Sequence, residues 1–504
     1  MPTLINEIDK ALRKYASKTA FDDGETQLTF SDVDDRVGEI ANWLTKHCDE
    51  GDRVAVLTRN RIDTILLEWA TYRVGCIWIG IPFREREIDE LTRLLEDFTP
   101  RLLVIERATP FGEVVFTKKV FPAVDVVIPK NVLQPNVYRA LKRSACYNSG
   151  VFSIDGELIQ RIRYSSGAGG ERKAVAYSSA TALAIEKILR EEILDDPHES
   201  VVETVVHAVP ITWASGSLIA PSICMGCKNV VLESWDVRRF ANIVGSESSV
   251  LSLIPPRLLA DLVKYATVTD ESWLGNLRCA LLAGTPTSVW TMRQALEVFR
   301  DTRFIVTLGQ TEASFPITRH VVSPRDVSLD GPSLIPLGAL TRPYKESRVG
   351  EDGKEGELLL RGDPVAPGKW KPSMPGPGGE FVPFDRPFLR SGDRVRKGAD
   401  GVLHYLGHVA NSWQVNDRCP PPFAIEAVVD ACPGVKRSRV DWVADLGSMV
   451  SADMTVQGEG ADIDDDRIRS FFRKHRDSAR LAHLELGDIT VGRVEVTLTG
   501  KIKR

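Results

Sequence analysis

Two hydrophobic rhythms alternate along the N-terminal part of the chain. Val33, Val37, Ile40 and Leu44 recur at helical spacing, and Ser31 just before them is suited to cap the helix they predict. Residues 53–58 (Arg-Val-Ala-Val-Leu-Thr) form an apolar run that predicts a buried strand, and Leu66, Trp69 and Val74 mark a second helix. Residues 101–105 and 125–128 read as further short strands. Buried strands alternating with amphipathic helices predict parallel sheets covered on both faces. The middle repeats the theme: Val205-Val206 leads to Pro210, residues 250–254 lead to Pro255-Pro256, and residues 277–282 lead to Ala283-Gly-Thr-Pro286. Each strand ends in a Gly/Pro turn, and open α/β sheets gather ligands at such carboxyl ends. From Gly356 onward the pattern changes to short strands and turns. Residues 366–383, dense in proline and glycine, predict a loop. A joint near Gly407 divides residues 1–406 from 407–504. The terminal part holds a helix with Ile468, Phe471 and Phe472 and an alternating strand over 493–498, which suits a small α+β domain.

Composition narrows the class without naming the chemistry. A chain of 504 residues exceeds one ordinary core, and 43% hydrophobic with 26% charged residues is normal for a globular protein. A net charge of −5 gives no electrostatic case for nucleic acid or an anionic membrane surface. No apolar run approaches a membrane span, and the N-terminus lacks the pattern of a secretory leader, so a cytoplasmic location is expected. The eight cysteines are dispersed. Cys224-Met-Gly-Cys227 is a lone CxxC without a second pair, and it predicts two small thiols at a helix end rather than a metal site.

The candidate chemistry begins at Arg163-Tyr-Ser-Ser-Gly-Ala-Gly-Gly-Glu-Arg-Lys173. Glycines let backbone N–H groups converge on an anion and a lysine adds charge, so such a loop can wrap phosphate oxygens. Leu308-Gly-Gln-Thr-Glu312, Gly356-Glu-Leu-Leu-Leu-Arg-Gly362, Ser391-Gly-Asp393, Asp400-Gly401 and Thr499-Gly-Lys501 follow in order. The series resembles the adenylate-forming superfamily of acyl-CoA synthetases, adenylation domains and luciferases. The resemblance runs from Leu28-Thr-Phe-Ser31 to Lys501. It implies an α/β fold with a large N-terminal domain of αβαβα-type stacked sheets plus a β-subdomain, and a small mobile α+β C-terminal domain. It also implies a reaction in which a carboxylate attacks the α-phosphate of ATP and a thiol then displaces AMP.

Residue by residue, the resemblance implies that Glu312 holds Mg²⁺ against the phosphates and that Asp393 accepts from the ribose hydroxyls. Gly284, Thr285 and Pro286 fall where adenine meets the backbone, and Gly309, Gln310 and Thr311 belong to the same nucleotide site. Ser165, Ser166, Gly167 and Gly170 with Lys173 form the phosphate loop, and Lys501 reaches the carboxylate. Trp213, Ser215, Gly216 and Ala283 fall by the acyl group. Departures carry equal weight. Ala168 and Gly169 replace hydroxyl residues, which weakens pyrophosphate-region binding by roughly two to four orders of magnitude. Leu308 replaces an aromatic residue on adenine, His408 replaces an arginine, and Gln414 replaces a lysine near the thiol route. The expectation is an acid–thiol ligase using ATP or acyl-AMP, CoA and Mg²⁺. Its adenylation half is weak or absent, down to thioester formation from an adenylate supplied by a partner adenylating enzyme. The alternatives are an adenylate-forming ligase with an amine or carrier-protein acceptor, and a non-catalytic relative that binds AMP or an acyl-adenylate.

Overall fold

The computed structural model describes residues 3–81, 97–105, 125–127, 158–164, 174–195, 201–269, 271–328, 332–342, 344, 346–349, 353–372, 379–384, 387–409, 420–445, 449–458 and 464–494. The chain divides into two units. One comprises Met1–Trp235, Thr311–Ser314 and Gly362–Pro387, and the other comprises Asp236–Gln310, Phe315–Arg361 and Phe388–Arg504.

In the first unit the helix Phe30–Leu44 buries Val33, Val37, Ile40 and Leu44, as the spacing predicts. Its cap is Thr29 rather than Ser31. Thr29 Oγ1 accepts from the Asp32 N–H at 3.1 Å, and the Asp32 carboxylate accepts from the Thr29 N–H at 2.9 Å, which closes a capping box. The helix starts early because Phe30 is fully buried and enters the core as its first residue. Helices Leu4–Lys14, Ile62–Arg73 and Ile219–Met225 add Ile8, Leu12, Leu66, Trp69 and Ile223 to that core.

An eight-stranded sheet runs Gly379–Pro383, Gly368–Pro372, Ala174–Ser178, Ile159–Tyr164, Ile77–Gly80, Arg53–Leu57, Leu102–Ile105, Asp125–Val127. Strands from Ile159–Tyr164 to Asp125–Val127 are parallel, and the other three pair antiparallel. The expected loop over 366–383 is therefore a strand pair. Trp370, only 9% exposed, packs with Phe98, and this anchors a strand whose pattern proline and glycine obscure in the sequence. A second set of strands in this unit orders Thr204–His207, Lys228–Val231, Thr19–Asp22 and Gln27–Thr29.

The second unit carries parallel strands Val250–Leu253, Leu277–Leu282 and Arg303–Val306, followed by antiparallel Thr318–Val321 and Ala339–Leu340. It also holds an antiparallel sheet of Glu346–Val349, Glu355–Arg361, Leu389–Lys397 and Leu403–His408. Its terminal part packs the strands Val435–Asp445, Val450–Gly458 and Leu484–Val491 with the helices Pro422–Asp430 and Asp465–His475. Ile468 and Phe472 are buried, and Phe471 packs on His475. Of the strand expected over 493–498, Arg493 and Val494 lie beyond Leu484–Val491 in no strand, and 495–498 fall outside the described residues. Leu484 and Leu486 hold the edge position instead. Trp290 and Leu334 join the apolar core of this terminal part. Asp430 accepts from Arg257 Nη2 and, through its backbone carbonyl, from Lys264 Nζ, at 2.8 and 2.6 Å. The expected α/β class with a β-subdomain and a terminal α+β segment is the observed one. Among the described residues no helix is long and apolar enough to cross a membrane.

Candidate functional site

In the first unit, Gly80 pairs with Arg163 in the parallel ladder and Tyr164 pairs with Ala174 in the antiparallel one. Ser165, Ser166, Gly167, Gly170 and Lys173 lie between those strands and outside the described residues. Tyr177, on the strand Ala174–Ser178, is 2% exposed, and its hydroxyl donates to the Thr311 carbonyl. The Glu312 carbonyl accepts the Ala366 N–H at 2.9 Å, and Ala313 bridges Val365. Thr311 and Glu312 are thus pinned from both sides, while the Glu312 side chain stays half-exposed. Burial, the largest influence, raises the Tyr177 phenol above its ordinary value, and the Glu312 carboxylate adds to it against Arg163 and Arg161.

The Trp213 segment is also fixed by groups from elsewhere in this unit. Asn60 donates to the Val209 and Leu232 carbonyls at 3.0 and 2.9 Å, and its Oδ1 accepts from the Ile211 N–H at 2.9 Å. His207 Nδ1 lies 3.1 Å from Ser215 Oγ, and Nε2 lies 2.9 Å from Asn229 Oδ1. Burial pushes the His207 imidazole down to about 4. A side chain at Gly216 would put its Cβ 1.8 Å from the Ile211 carbonyl oxygen, so only glycine fits this approach. Trp213 is half-buried, and its Nε1 is enclosed without a hydrogen-bond partner.

The second unit gathers its candidates in two places. Leu282 and Val306 pair in register, and the Thr307 N–H donates to the Leu282 carbonyl at 3.0 Å, so Ala283–Pro286 and Thr307–Gln310 share one carboxyl edge. Gly284 has a φ of 96°, and a Cβ on Gly309 would fall 2.4 Å from that of Phe315. Leu308 is fastened by its N–H to Thr318 Oγ1 at 3.0 Å and by its carbonyl to the Ile317 N–H at 2.9 Å. Gln310 Nε2 is a buried donor with no acceptor among the described residues. The other place is a strand pair: Asp393 opposes His408 between Leu389–Lys397 and Leu403–His408. The Asp393 N–H donates to Ser391 Oγ at 3.0 Å, and the Gly392 N–H donates to Glu357 Oε1 at 3.1 Å. Gln414 and Lys501 lie outside the described residues.

Sequence reasoning assigned nothing to Tyr177, His207, Asn60 or Arg163. Arg163 gave the one legible signal, a second arginine two positions after Arg161 in a short strand; Tyr177 and Asn60 act through partners more than a hundred positions away, and His207 through Ser215 and Asn229. At Cys224-Met-Gly-Cys227, Gly226 caps the helix with a φ of 75° and Cys227 is buried, its thiol pushed up to about 12 by burial. No cluster of three metal-ligating side chains occurs among the described residues.

Strand ends carrying these motifs, on this α/β frame, define an adenylate-forming ligase fold. The chain belongs to the AMP-binding enzyme family, which it matches over residues 8–370. It is 23% identical over 456 residues to an L-proline–[L-prolyl-carrier protein] ligase of Pseudomonas fluorescens, covering 87% of this chain and 86% of that one. It is 23% identical over 463 residues to a feruloyl-CoA synthase of Amycolatopsis, covering 90% and 89%. A solved benzoate CoA ligase of Burkholderia xenovorans superposes with a TM-score of 0.78 at 15% identity, covering 100% of this chain and 99% of the other.

Proposed function

We propose that the chain joins a carboxylic acid to the thiol of CoA through an acyl-adenylate, with adenylation weak and thioester formation from acyl-AMP retained. The observation that carries a nucleotide ligand is Gln310 Nε2, an enclosed donor without an acceptor, at the carboxyl end of Arg303–Val306. A buried unpaired donor costs about 1–3 kcal/mol unless a ligand meets it. In this reading Asp393 takes the ribose hydroxyls, His408 supplies an N–H beside it, and Gly284–Pro286 present backbone to adenine. The Glu312 carboxylate, a hard oxygen donor on a backbone held by Tyr177 at the Thr311 carbonyl and by the Ala366 N–H, suits Mg²⁺, which takes its other ligands from phosphates and water. Lys173 and Lys501 would neutralise the phosphates and the acid's carboxylate. The weak half follows from Ala168 and Gly169, which lack the hydroxyl donors for the β- and γ-phosphates. Residues 407–504 would turn between the two half-reactions, and an acyl-adenylate from a partner enzyme could feed the second.

Two assays on the purified chain test this. One measures pyrophosphate exchange with candidate acids, ATP and Mg²⁺, and the other measures thioester formation from a synthetic acyl-adenylate plus CoA. Thioester from the adenylate with little exchange is the expected result. Fast exchange would sink the half-enzyme reading, and neither activity would leave a protein that only binds AMP or an acyl-adenylate. A carrier-protein thiol in place of CoA is the second reading, favoured by the likeness to the prolyl-carrier-protein ligase along most of its length. Charging of a phosphopantetheinylated carrier but not of CoA would select it.

A further inference from the structure

The strand Ile159–Tyr164 sorts its side chains by alternation. Ile162 joins Ala55, Leu57 and Ile79 in the apolar core on one face, with Tyr164 packed against that core. Arg161 and Arg163 point the other way, into a cavity of about 40 Å³ bounded by side chains of the helices Ile62–Arg73, Ser179–Leu189 and Ile219–Met225. That volume holds about three waters.

The charges around this cavity do not cancel. Glu68 Oε1 takes both an Arg161 N–H and the Tyr72 hydroxyl. Glu186 also lines the cavity, but its Oε1 is engaged by Arg190 Nε at 2.8 Å, and its Oε2 has no hydrogen-bond partner. Two self-neutral pairs therefore leave Arg163 in excess. Arg163 is 9% exposed, its Nη2 donates to Ser217 Oγ at 3.0 Å, and its Nε is buried with no acceptor. Its guanidinium lies 5.5 Å from the centroid of the Tyr177 ring. Burial and the like charge of Arg161 push it down to about 10, so it stays charged at neutral pH. A buried charge with an unused N–H is costly until an anion or a strong acceptor meets it.

Gly216 and Ser217 line the same cavity, which connects it to the Trp213–Gly216 segment assigned above to the acid. We infer that Arg163 recognises a second carboxylate at the far end of the acid, so that the substrate class is a dicarboxylic acid. The guanidinium fork matches a carboxylate better than any neutral tail. This inference rests on the acid-activating reading of the same segment.

Calorimetry on the full chain with matched pairs tests it: terephthalate against benzoate, adipate against hexanoate, succinate against butyrate, and AMP in a separate titration. In at least one pair the diacid is expected to bind tenfold or more tightly than its partner. Arg163→Met should abolish that preference and Arg163→Lys should keep part of it, with thermal unfolding as the check on folding. Because the preference is read first in the unaltered chain, a variant that fails to fold does not decide the matter. Equal binding of mono- and diacids, binding of neither, a preference that survives Arg163→Met, or inorganic phosphate competing as well as the diacid would each overturn the inference. AMP binding with no diacid preference removes the inference and keeps the ligase reading. Diacid binding without AMP binding does the reverse.

Discussion

The Ser215 hydroxyl donates to His207 Nδ1 across 3.1 Å, because the other ring nitrogen is committed as a donor to Asn229 Oδ1. The orientation of Asn229 is itself fixed: its amide donates to the Cys227 carbonyl at 3.3 Å, and its oxygen also accepts from Ser222 at 2.6 Å. A neutral imidazole thus ties strand Thr204–His207 to the segment that carries Trp213. Burial lowers His207 from its ordinary value of 6.5 to about 4. Between those values the unfolded chain binds a proton that the folded chain refuses, so stability falls as the pH drops from about 6.5 to about 4. The span is worth about 3 kcal/mol. Asp63, raised by burial to about 6, titrates with the opposite sign in this range, so the His207 share is read as the difference between the unaltered chain and His207→Gln in thermal unfolding across it.

Gly216→Ala would force a methyl group against the Ile211 carbonyl, 1.8 Å away. The expected cost is about 1–3 kcal/mol in urea unfolding, together with a loss of acid binding larger than any loss of AMP binding. Unchanged acid affinity would separate this segment from the acyl site.

Gly392 has a φ of 77°, and its Cβ would stand 2.8 Å from His408 Nε2. Gly392→Ala therefore strains this point of the strand by about 1–2 kcal/mol and displaces the His408 ring. AMP affinity measured by calorimetry should fall about tenfold, equivalent to 1.4 kcal/mol. No change would detach the Asp393–His408 pair from the nucleotide.

Tyr177→Phe removes the hydroxyl that holds the Thr311 carbonyl and leaves the ring in place. The segment carrying the adjacent Glu312 loses one of its ties, so the Mg²⁺ concentration needed for half-maximal ATP binding should rise several-fold. Titration of Mg²⁺ at fixed ATP reads this directly, and an unshifted midpoint would count against Glu312 as the magnesium ligand.

Restoring donors by Ala168→Thr with Gly169→Thr should raise pyrophosphate exchange by about tenfold or more and leave thioester formation from preformed acyl-adenylate unchanged. If exchange does not rise, the replaced hydroxyls are not what limits adenylation.

The parts of the fold that show in the sequence are those with a period. Val33, Val37, Ile40 and Leu44 bury where their spacing puts them, and the strands at 53–57 and 277–282 lie where their apolar runs begin. The cap falls two positions earlier than the pattern predicts because Thr29 and Ser31 are both competent and only the burial of Phe30 decides between them. The strand pair that holds Trp370 is hidden because Trp370 packs on Phe98, far away in the chain, a contact no local pattern shows. The site followed the same rule. Motif glycines and acids were legible, whereas Asn60 reaches the Val209 carbonyl across 149 positions and Tyr177 reaches Thr311 across 134. No periodicity encodes such pairings. Likewise, nothing along the chain marks Thr311–Ser314 and Gly362–Pro387 as members of the first unit.

Arg480 donates to the carbonyls of Asp326 and Ser328 at 3.0 and 2.6 Å and to that of Pro332, while Trp290 and Leu334 sit inside the apolar core of the terminal segment. Together with Arg257 and Lys264 on Asp430, this guanidinium buttons the tail down over a shared greasy patch. The turning of that segment proposed above would first have to undo these contacts and wet the patch. The speed of a catalytic cycle would then be governed by undocking, far from any reacting atom.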